Sequence, residues 1–438
     1  NNSAPNQENM DVRYFGSGIG SFNSIHIAWL GKYTSFSAEP FLLRNQNQNT
    51  AFFQRPTDYQ FLNDAVQSGG KNLNRQGLRN AHFFLHYKGI GIGLSNENMW
   101  WGPGIHTSFQ MTNNTKSFMG NIIGTIQEIR IGQFGLFMLY TFARMNEETG
   151  IRAKYYTSIN GQLSWYGSSS IIAAGFSRNY LTGGELIAGY EWTEKDARNI
   201  VFEDVFISNL IDKEYTIGGH DAWDQTLSGY FTIIFPKRGL KVYTEFGFND
   251  NRMYFADFLS QPDHGMATIF GIRDYGIKGN KELTWGFEWT NLMITYTSRH
   301  RPTGPGTWYI SSLYDYSSYY GRRWGAHSGT DSDDWYFYAG YLSDKFMFIP
   351  ALNYERHGIV SHRPAEVKME FRLDTRYQYK DIWFGIYYEK QFEAFLGFPN
   401  YFYVDSQGSP TGYSLREKLA NTRRTNTIII SISKSFHY

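Results

Sequence analysis

The C-terminal stretch Thr427-Ile428-Ile429-Ile430-Ser431-Ile432-Ser433-Lys434-Ser435-Phe436-His437-Tyr438 alternates apolar and polar residues and ends in an aromatic. Successive side chains of a strand point to opposite faces, so Ile428, Ile430, Ile432, Phe436 and Tyr438 share one face and Ser431, Ser433, Ser435 and His437 the other. An apolar face for lipid, a polar face for a watery interior and an aromatic last residue read as the closing strand of an outer-membrane β-barrel. Lys434 interrupts the apolar face. A strand of a soluble sandwich alternates in the same way, so the rest of the chain must arbitrate.

Val367 to Tyr379 repeats the pattern more strongly. Val367, Met369, Phe371, Leu373, Tyr377 and Tyr379 point one way, and Lys368, Glu370, Arg372, Asp374, Arg376 and Gln378 the other. Leu240 to Phe248 alternates likewise and follows Tyr230 to Phe235 through the tight turn Pro236-Lys237-Arg238-Gly239. Near the start, Ile25, Ile27 and Trp29 alternate before Gly31-Lys32-Tyr33, and Phe36 and Ala38 continue the pattern. Further strands are expected at 83–94, 122–131, 134–142, 171–176, 186–192, 283–296, 335–341, 346–354 and 382–388.

Composition favours the membrane. The chain has 438 residues, 18% aromatic, with 33 Tyr, 35 Phe and 12 Trp, yet its mean hydropathy is -0.46. A barrel needs only every second residue apolar, and it concentrates aromatics in interfacial girdles. No apolar run is long enough for a spanning helix, which takes about 18 residues. The absence of cysteine fits an oxidising envelope compartment, and a net charge of +1 argues against a nucleic-acid binder, which normally carries a basic stripe.

Long non-alternating stretches lie at 44–79, 193–225, 249–265, 299–334 and 391–424, against short turns on the other side. A strand with its share of loop consumes roughly 24 residues, so the chain accommodates about 18 strands. The expectation is an all-β, transmembrane antiparallel β-barrel forming one domain over 1–438, its lumen partly occluded by loops or short helices. Residues 1–20 are expected to be a periplasmic or plug-associated segment. The segment 44–79 is long enough to fold inward as the plug.

The densest irregular feature is Ser95-Asn96-Glu97-Asn98-Met99-Trp100-Trp101-Gly102-Pro103-Gly104-Ile105-His106-Thr107-Ser108. Proline removes a ladder donor and the glycines permit a sharp bend, so the chain must turn here. Tryptophan is a platform for a sugar ring, and the neighbouring amides and carboxylate could hydrogen-bond hydroxyls. The competing reading makes the two tryptophans interfacial anchors or plug-packing aromatics.

Asn98-Met99-Trp100-Trp101-Gly102-Pro103-Gly104, followed by Ser108 and Asn113-Asn114, resembles the Wzi-type capsule assembly family of outer-membrane proteins. A second block is similar to a Tyr- and Gly-rich stretch late in that family: Tyr314 to Tyr320, then Gly321-Arg322-Arg323-Trp324-Gly325-Ala326-His327-Ser328-Gly329-Thr330-Asp331-Ser332. The resemblance implies a partly occluded barrel of about 18 strands that helps hold capsular polysaccharide at the bacterial surface. Candidate carbohydrate-binding residues are Trp100, Trp101, Asn96, Glu97, Asn98, His106, Asn113 and Asn114 around the bend, with His327 and Asp331 in the second block.

No cofactor and no metal are expected. Asp331, Asp333 and Asp334 lack the spacing of a calcium loop. His264, after Pro262-Asp263, reads as a turn residue. No Gly-x-Ser-x-Gly elbow is present, and the reading is non-enzymatic. Expected partners are outer-membrane lipid and lipopolysaccharide, capsular polysaccharide and other envelope proteins, with no nucleic acid. A structural subunit of a larger envelope assembly and a diffusion porin are the alternatives.

Overall fold

A computed structural model describes residues 8–50, 53–60, 62, 70–145, 154–183, 193–202, 223–249, 259–276, 280–300, 307–311, 314, 317–362, 364–399, 402–404, 410–413 and 421–436. Strand β1 (Gly20–Ser24 and Ile27–Leu30) pairs along successive parts of β2 (Thr34–Asn45). Then come β3 (Leu73–Tyr87), β4 (Ile90–Ser95), β5 (Gly120–Thr125 and Ile129–Ile131), β6 (Phe134–Met145), β7 (Lys154–Tyr166) and β8 (Ile171–Gly183). β9 (Asp224–Phe235), β10 (Leu240–Asn249), β11 (Met266–Tyr275) and β12 (Leu283–Asn291) continue the wall. β13 (Ser332–Leu342), β14 (Phe346–His357), β15 (Glu366–Tyr379), β16 (Ile382–Ala394) and β17 (Arg423–Lys434) complete the meander. Each strand pairs antiparallel with its neighbour in sequence, and the whole forms one transmembrane β-barrel wall.

The alternation that the sequence shows is the inside and outside of this wall. In β15, Lys368 and Glu370 are buried, whereas Met369 is 46% exposed. Ile428, Ile430 and Ile432 of β17 stand out in the same way, with Ile430 75% exposed. Phe83, Ile92, Leu136, Leu163, Phe246, Phe270 and Leu352 carry the band around other strands. An apolar surface of this extent needs lipid to cover it. Beside the short turns Tyr33, Tyr87 and Tyr379 form an aromatic girdle, each with a lysine ammonium over its ring: Lys32 at 5.0 Å, Lys88 at 5.4 Å and Lys380 at 5.5 Å.

Several boundaries differ from expectation. The span 83–94 is a hairpin, because Lys88 and Gly89 take φ of 50° and 85° and make a two-residue turn of the mirror-image kind that suits strand twist. The span 122–131 is broken at 126–128, where the register against β6 slips by two residues, from Gly124 opposite Leu139 to Ile129 opposite Leu136. β7 and β11 are strands that the sequence did not reveal. The span 186–192 lies outside the described residues.

Helix α1 (Glu194–Phe202) packs on the outer face of β6 to β8, at the end away from the short turns. Ala197, Ile200 and Val201 cover Phe142, Tyr155, Ile159 and Tyr180, and the Thr157 hydroxyl donates to the Ala197 carbonyl at 2.9 Å. A reciprocal cap starts the helix, with Asp196 N donating to the Thr193 hydroxyl and Thr193 N to the Asp196 carboxylate. Among the described residues no helix is long and apolar enough to cross a membrane.

Among the described residues, the lumen is filled chiefly by 98–118, 307–311, 314 and 317–331, with residues 8–15 against them. Two apolar clusters hold this plug to the inner wall. One gathers Trp101, Met111, Leu139, Tyr156, Leu181 and Trp324; the other gathers Phe109, Tyr243, Ile269, Leu292, Trp308 and Tyr309. The segment 44–79 supplies the end of β2 and the start of β3, and among its described residues Arg55 reaches inward to Glu366 while the Asp58 carbonyl accepts from Arg323 of the plug; 51, 52, 61 and 63–69 lie outside the described residues.

Candidate functional site: the plug and its ionic centre

The Trp-Trp-Gly-Pro-Gly bend wraps a buried carboxylate. The amides of Ile105, His106 and Thr107 donate to Glu288 of β12 at 2.6, 3.2 and 2.7 Å, and the Tyr243 hydroxyl donates to it at 2.5 Å. Three convergent amides form an anion nest, here closed on a side chain of the wall. The glycines make the approach sterically feasible. Gly102 has φ of 125°, and a Cβ there would stand 2.5 Å from a Glu245 oxygen; a Cβ on Gly104 would stand 2.0 Å from the Thr107 carbonyl. The Pro103 carbonyl accepts from Lys241 Nζ at 2.9 Å.

The second sequence block is tied to the first. Thr112 N donates to the Trp324 carbonyl at 2.7 Å, Asn114 Nδ2 to the Arg323 carbonyl at 2.9 Å, and Arg322 Nε to the Asn114 carbonyl at 2.8 Å. The Tyr309 hydroxyl donates to the Phe109 carbonyl and accepts from Ala326 N. The two motifs are thus halves of one unit.

Most candidate sugar residues are occupied by this architecture. Trp101 and Asn114 are buried, and Trp100 is half-buried. Asn96 bridges Ala81 N and the Leu78 carbonyl, Glu97 pairs with His82 at 2.7 Å, and Asn98 donates to the Thr115 carbonyl at 2.7 Å. The Asn113 carbonyl accepts from Asp11 N. The three aspartates part company. Asp331 accepts from Val360 N and Ser361 N at 2.9 and 2.8 Å, Asp333 pairs with Arg356, and Asp334 turns to the histidines. His264 sits in a turn with Nδ1 3.0 Å from the Ser298 hydroxyl.

His106 and His327, 221 residues apart by their numbers, meet with ring centroids 4.7 Å apart and planes 77° apart. His106 also stacks on Tyr336 at 4.0 Å. Around them lie Glu8, Asp334 and Glu355, all buried. Lys368 bridges Glu8 and Glu355, while Arg372 pairs with Glu8 and Glu370 and lies 3.4 Å from Glu389. Beyond them His357 bonds Glu355 at 2.7 Å, and Arg55 pairs with Glu366 at 2.8 Å. Glu8, Asp334, Glu355, Glu366, Glu370 and Glu389 thus face three permanent cations, Arg55, Lys368 and Arg372. Burial pulls the His327 imidazole down, but Glu8, Asp334 and Glu355 outweigh it and leave its pKa raised. Burial pushes the Glu8 carboxyl up, and His327, Lys368, Arg372 and His106 hold it well below the usual range.

Sequence reasoning selected both histidines, for another purpose, and missed Glu8, Asp334 and Glu355 as their neighbours. The charged inner face of β15 was the one visible sign of this centre.

A half-open pocket lies at the long-loop ends of β4 and β5. Glu97, Asn98, Lys116, Ser117, Phe118 and Trp324 line it. Phe118 meets Tyr156 and Trp324 edge-on.

No family model and no curated protein matches the chain. Among solved structures it is similar to Wzi of Escherichia coli, described as an outer-membrane protein involved in group 1 capsule assembly and a carbohydrate-binding β-barrel. That match has a TM-score of 0.59 and 13% identity, over 89% of this chain and 78% of that one. OccK5 (OpdH) of Pseudomonas aeruginosa matches with a TM-score of 0.38 and 8% identity, over 95% and 96% of the two chains. OprD of the same organism matches with a TM-score of 0.37 and 8% identity, over 100% and 99%. The lipid-facing band, the girdle beside the short turns and the likeness to the Wzi barrel together make the chain a β-barrel protein of the bacterial outer membrane.

Proposed function

We propose that the protein holds or organises capsular or other extracellular polysaccharide at the cell surface and catalyses no reaction on it. The observation that carries this reading is the filled lumen. A plug bound by an anion nest, two apolar clusters and a buried ionic network is built to stay in place, which a diffusion pore does not require. Among the described residues, the pocket on the long-loop side brings an amide, a hydroxyl, a carboxylate and an ammonium beside aromatic rings. Sugar recognition uses that combination of ring faces and hydrogen-bonding groups. The fold likeness to Wzi and the Trp-Trp-Gly-Pro-Gly motif support the same reading.

The test is a glycan array and a pull-down on protein folded in mild detergent. Binding to capsular polysaccharide is expected, and the double change Glu97→Ala with Lys116→Ala is expected to weaken it roughly tenfold, about 1.4 kcal/mol. A blank array with stoichiometric protein partners would replace this reading with a structural subunit of a larger envelope assembly.

A further inference from the structure

The histidine–carboxylate contacts of the ionic centre differ in length, and His357 makes one of each, its Nδ1 standing 3.4 Å from Glu366 Oε2. His357 Nε2 and Glu355 lie 2.7 Å apart, the length of a charge-assisted hydrogen bond. The contacts of His106 and His327 are longer. His327 Nε2 is 3.1 Å from Asp334 Oδ2 and 3.3 Å from Glu8 Oε2; His106 Nε2 is 3.3 Å and 3.6 Å from the same two oxygens. Four ligands at about 2.0–2.1 Å from a tetrahedral zinc ion lie about 3.3–3.4 Å from one another. The four contacts bracket that spacing.

Orientation agrees with distance. His327 Nε2 and Asp334 Oδ2 are both fully buried and close, yet neither meets hydrogen-bond geometry with a protein group. The opposite oxygens are engaged elsewhere. Asp334 Oδ1 accepts from Asn353, and Glu8 Oε1 accepts from Lys368. Asp334 Oδ2 thereby faces the histidines, as does Glu8 Oε2, which also accepts from Arg372 and keeps a second lone pair. Two imidazoles with two carboxylates suit zinc.

We propose that His106, His327 and Glu8, with Asp334 Oδ2 beside the two imidazoles, form a binding site for a divalent transition-metal ion, zinc in the first instance, that fastens the N-terminal segment and both plug blocks to the wall strand β13. The role is structural and independent of polysaccharide binding.

The test uses tag-free, full-length protein, folded in detergent, stripped with a chelator and dialysed against zinc. One equivalent is expected by elemental analysis. Cobalt loading should give the strong visible bands of a four-coordinate ion, and X-ray absorption on the zinc form a nitrogen and oxygen shell near ~2.0 Å with imidazole outer-shell scattering. His327→Ala and Asp334→Asn, verified as folded by heat modifiability, should each lose the equivalent, whereas His362→Ala should keep it. Folded wild-type protein that takes up no metal overturns the proposal, as does uptake undiminished in both variants. If the variants fail to fold, wild-type spectra decide: weak six-coordinate cobalt bands and no imidazole scattering overturn it.

Discussion

At the residue scale, the plug depends on groups whose loss cannot be absorbed locally. Glu288→Ala would strand three amides and the Tyr243 hydroxyl in a dry interior, at about 1–3 kcal/mol for each unsatisfied group. The expected outcome is a lower unfolding midpoint in a detergent melt, accompanied by ion conductance as the loop lets go of the wall. Glu288→Gln keeps one acceptor oxygen and should fall between. Gly104→Ala should resemble Glu288→Ala, because its Cβ would collide with backbone that cannot swing aside. The bend itself was legible in Trp101-Gly102-Pro103-Gly104. Its partner was not, since Glu288 lies 181 residues beyond Thr107 and spacing says nothing about which inner-face carboxylate a loop will meet.

At the scale of a strand, β15 corrects what alternation alone suggests. Alternation ranks Phe371→Arg as far worse than Arg372→Phe, because a cation facing lipid at the midplane costs about 2–4 kcal/mol. Arg372, however, is the cation shared by Glu8, Glu370 and Glu389. Removing one partner from a buried ionic set costs about 3–5 kcal/mol. Both substitutions should therefore impair assembly, measured as the folded fraction on a heat-modifiability gel, while Met369→Leu on the lipid face is tolerated. Strands were readable wherever one face met lipid and the other met charge. β7 escaped because α1 covers its outer face and the plug its inner one, so Tyr155 to Gly161 are buried on both sides and the period of two vanishes. β11 escaped because Ile269, on its inner face, packs in the plug's apolar cluster, giving apolar residues on both faces.

For the whole molecule, the distribution of the plug predicts what can be cut. Removing 46–74 should leave the barrel closed to ions in planar bilayers, because 98–118 and the described parts of 307–331 remain packed on the inner wall. Removing 99–118 should open it. Steady porin-like steps from the intact protein at neutral pH would contradict the closed lumen. The architecture was legible as a whole because strand period and loop length are local quantities. The centre was not, because it joins side chains at positions 8, 106, 327, 334 and 355, and only the closed fold brings them together.

Glu8 and its counter-ions, Lys368 and Arg372, are separated by 360 and 364 residues. A chain assembled only as far as β14 therefore holds Glu8, Asp334 and Glu355 without the two cations that β15 brings. Closing the wall through β15 thus also brings Glu8 its cations, and before that pairing the chain is expected to pass through a protease-sensitive stage. In pulse-chase experiments the double change Lys368→Gln with Arg372→Gln should prolong that protease-sensitive stage, and a lifetime equal to wild type would show that charge plays no part in it.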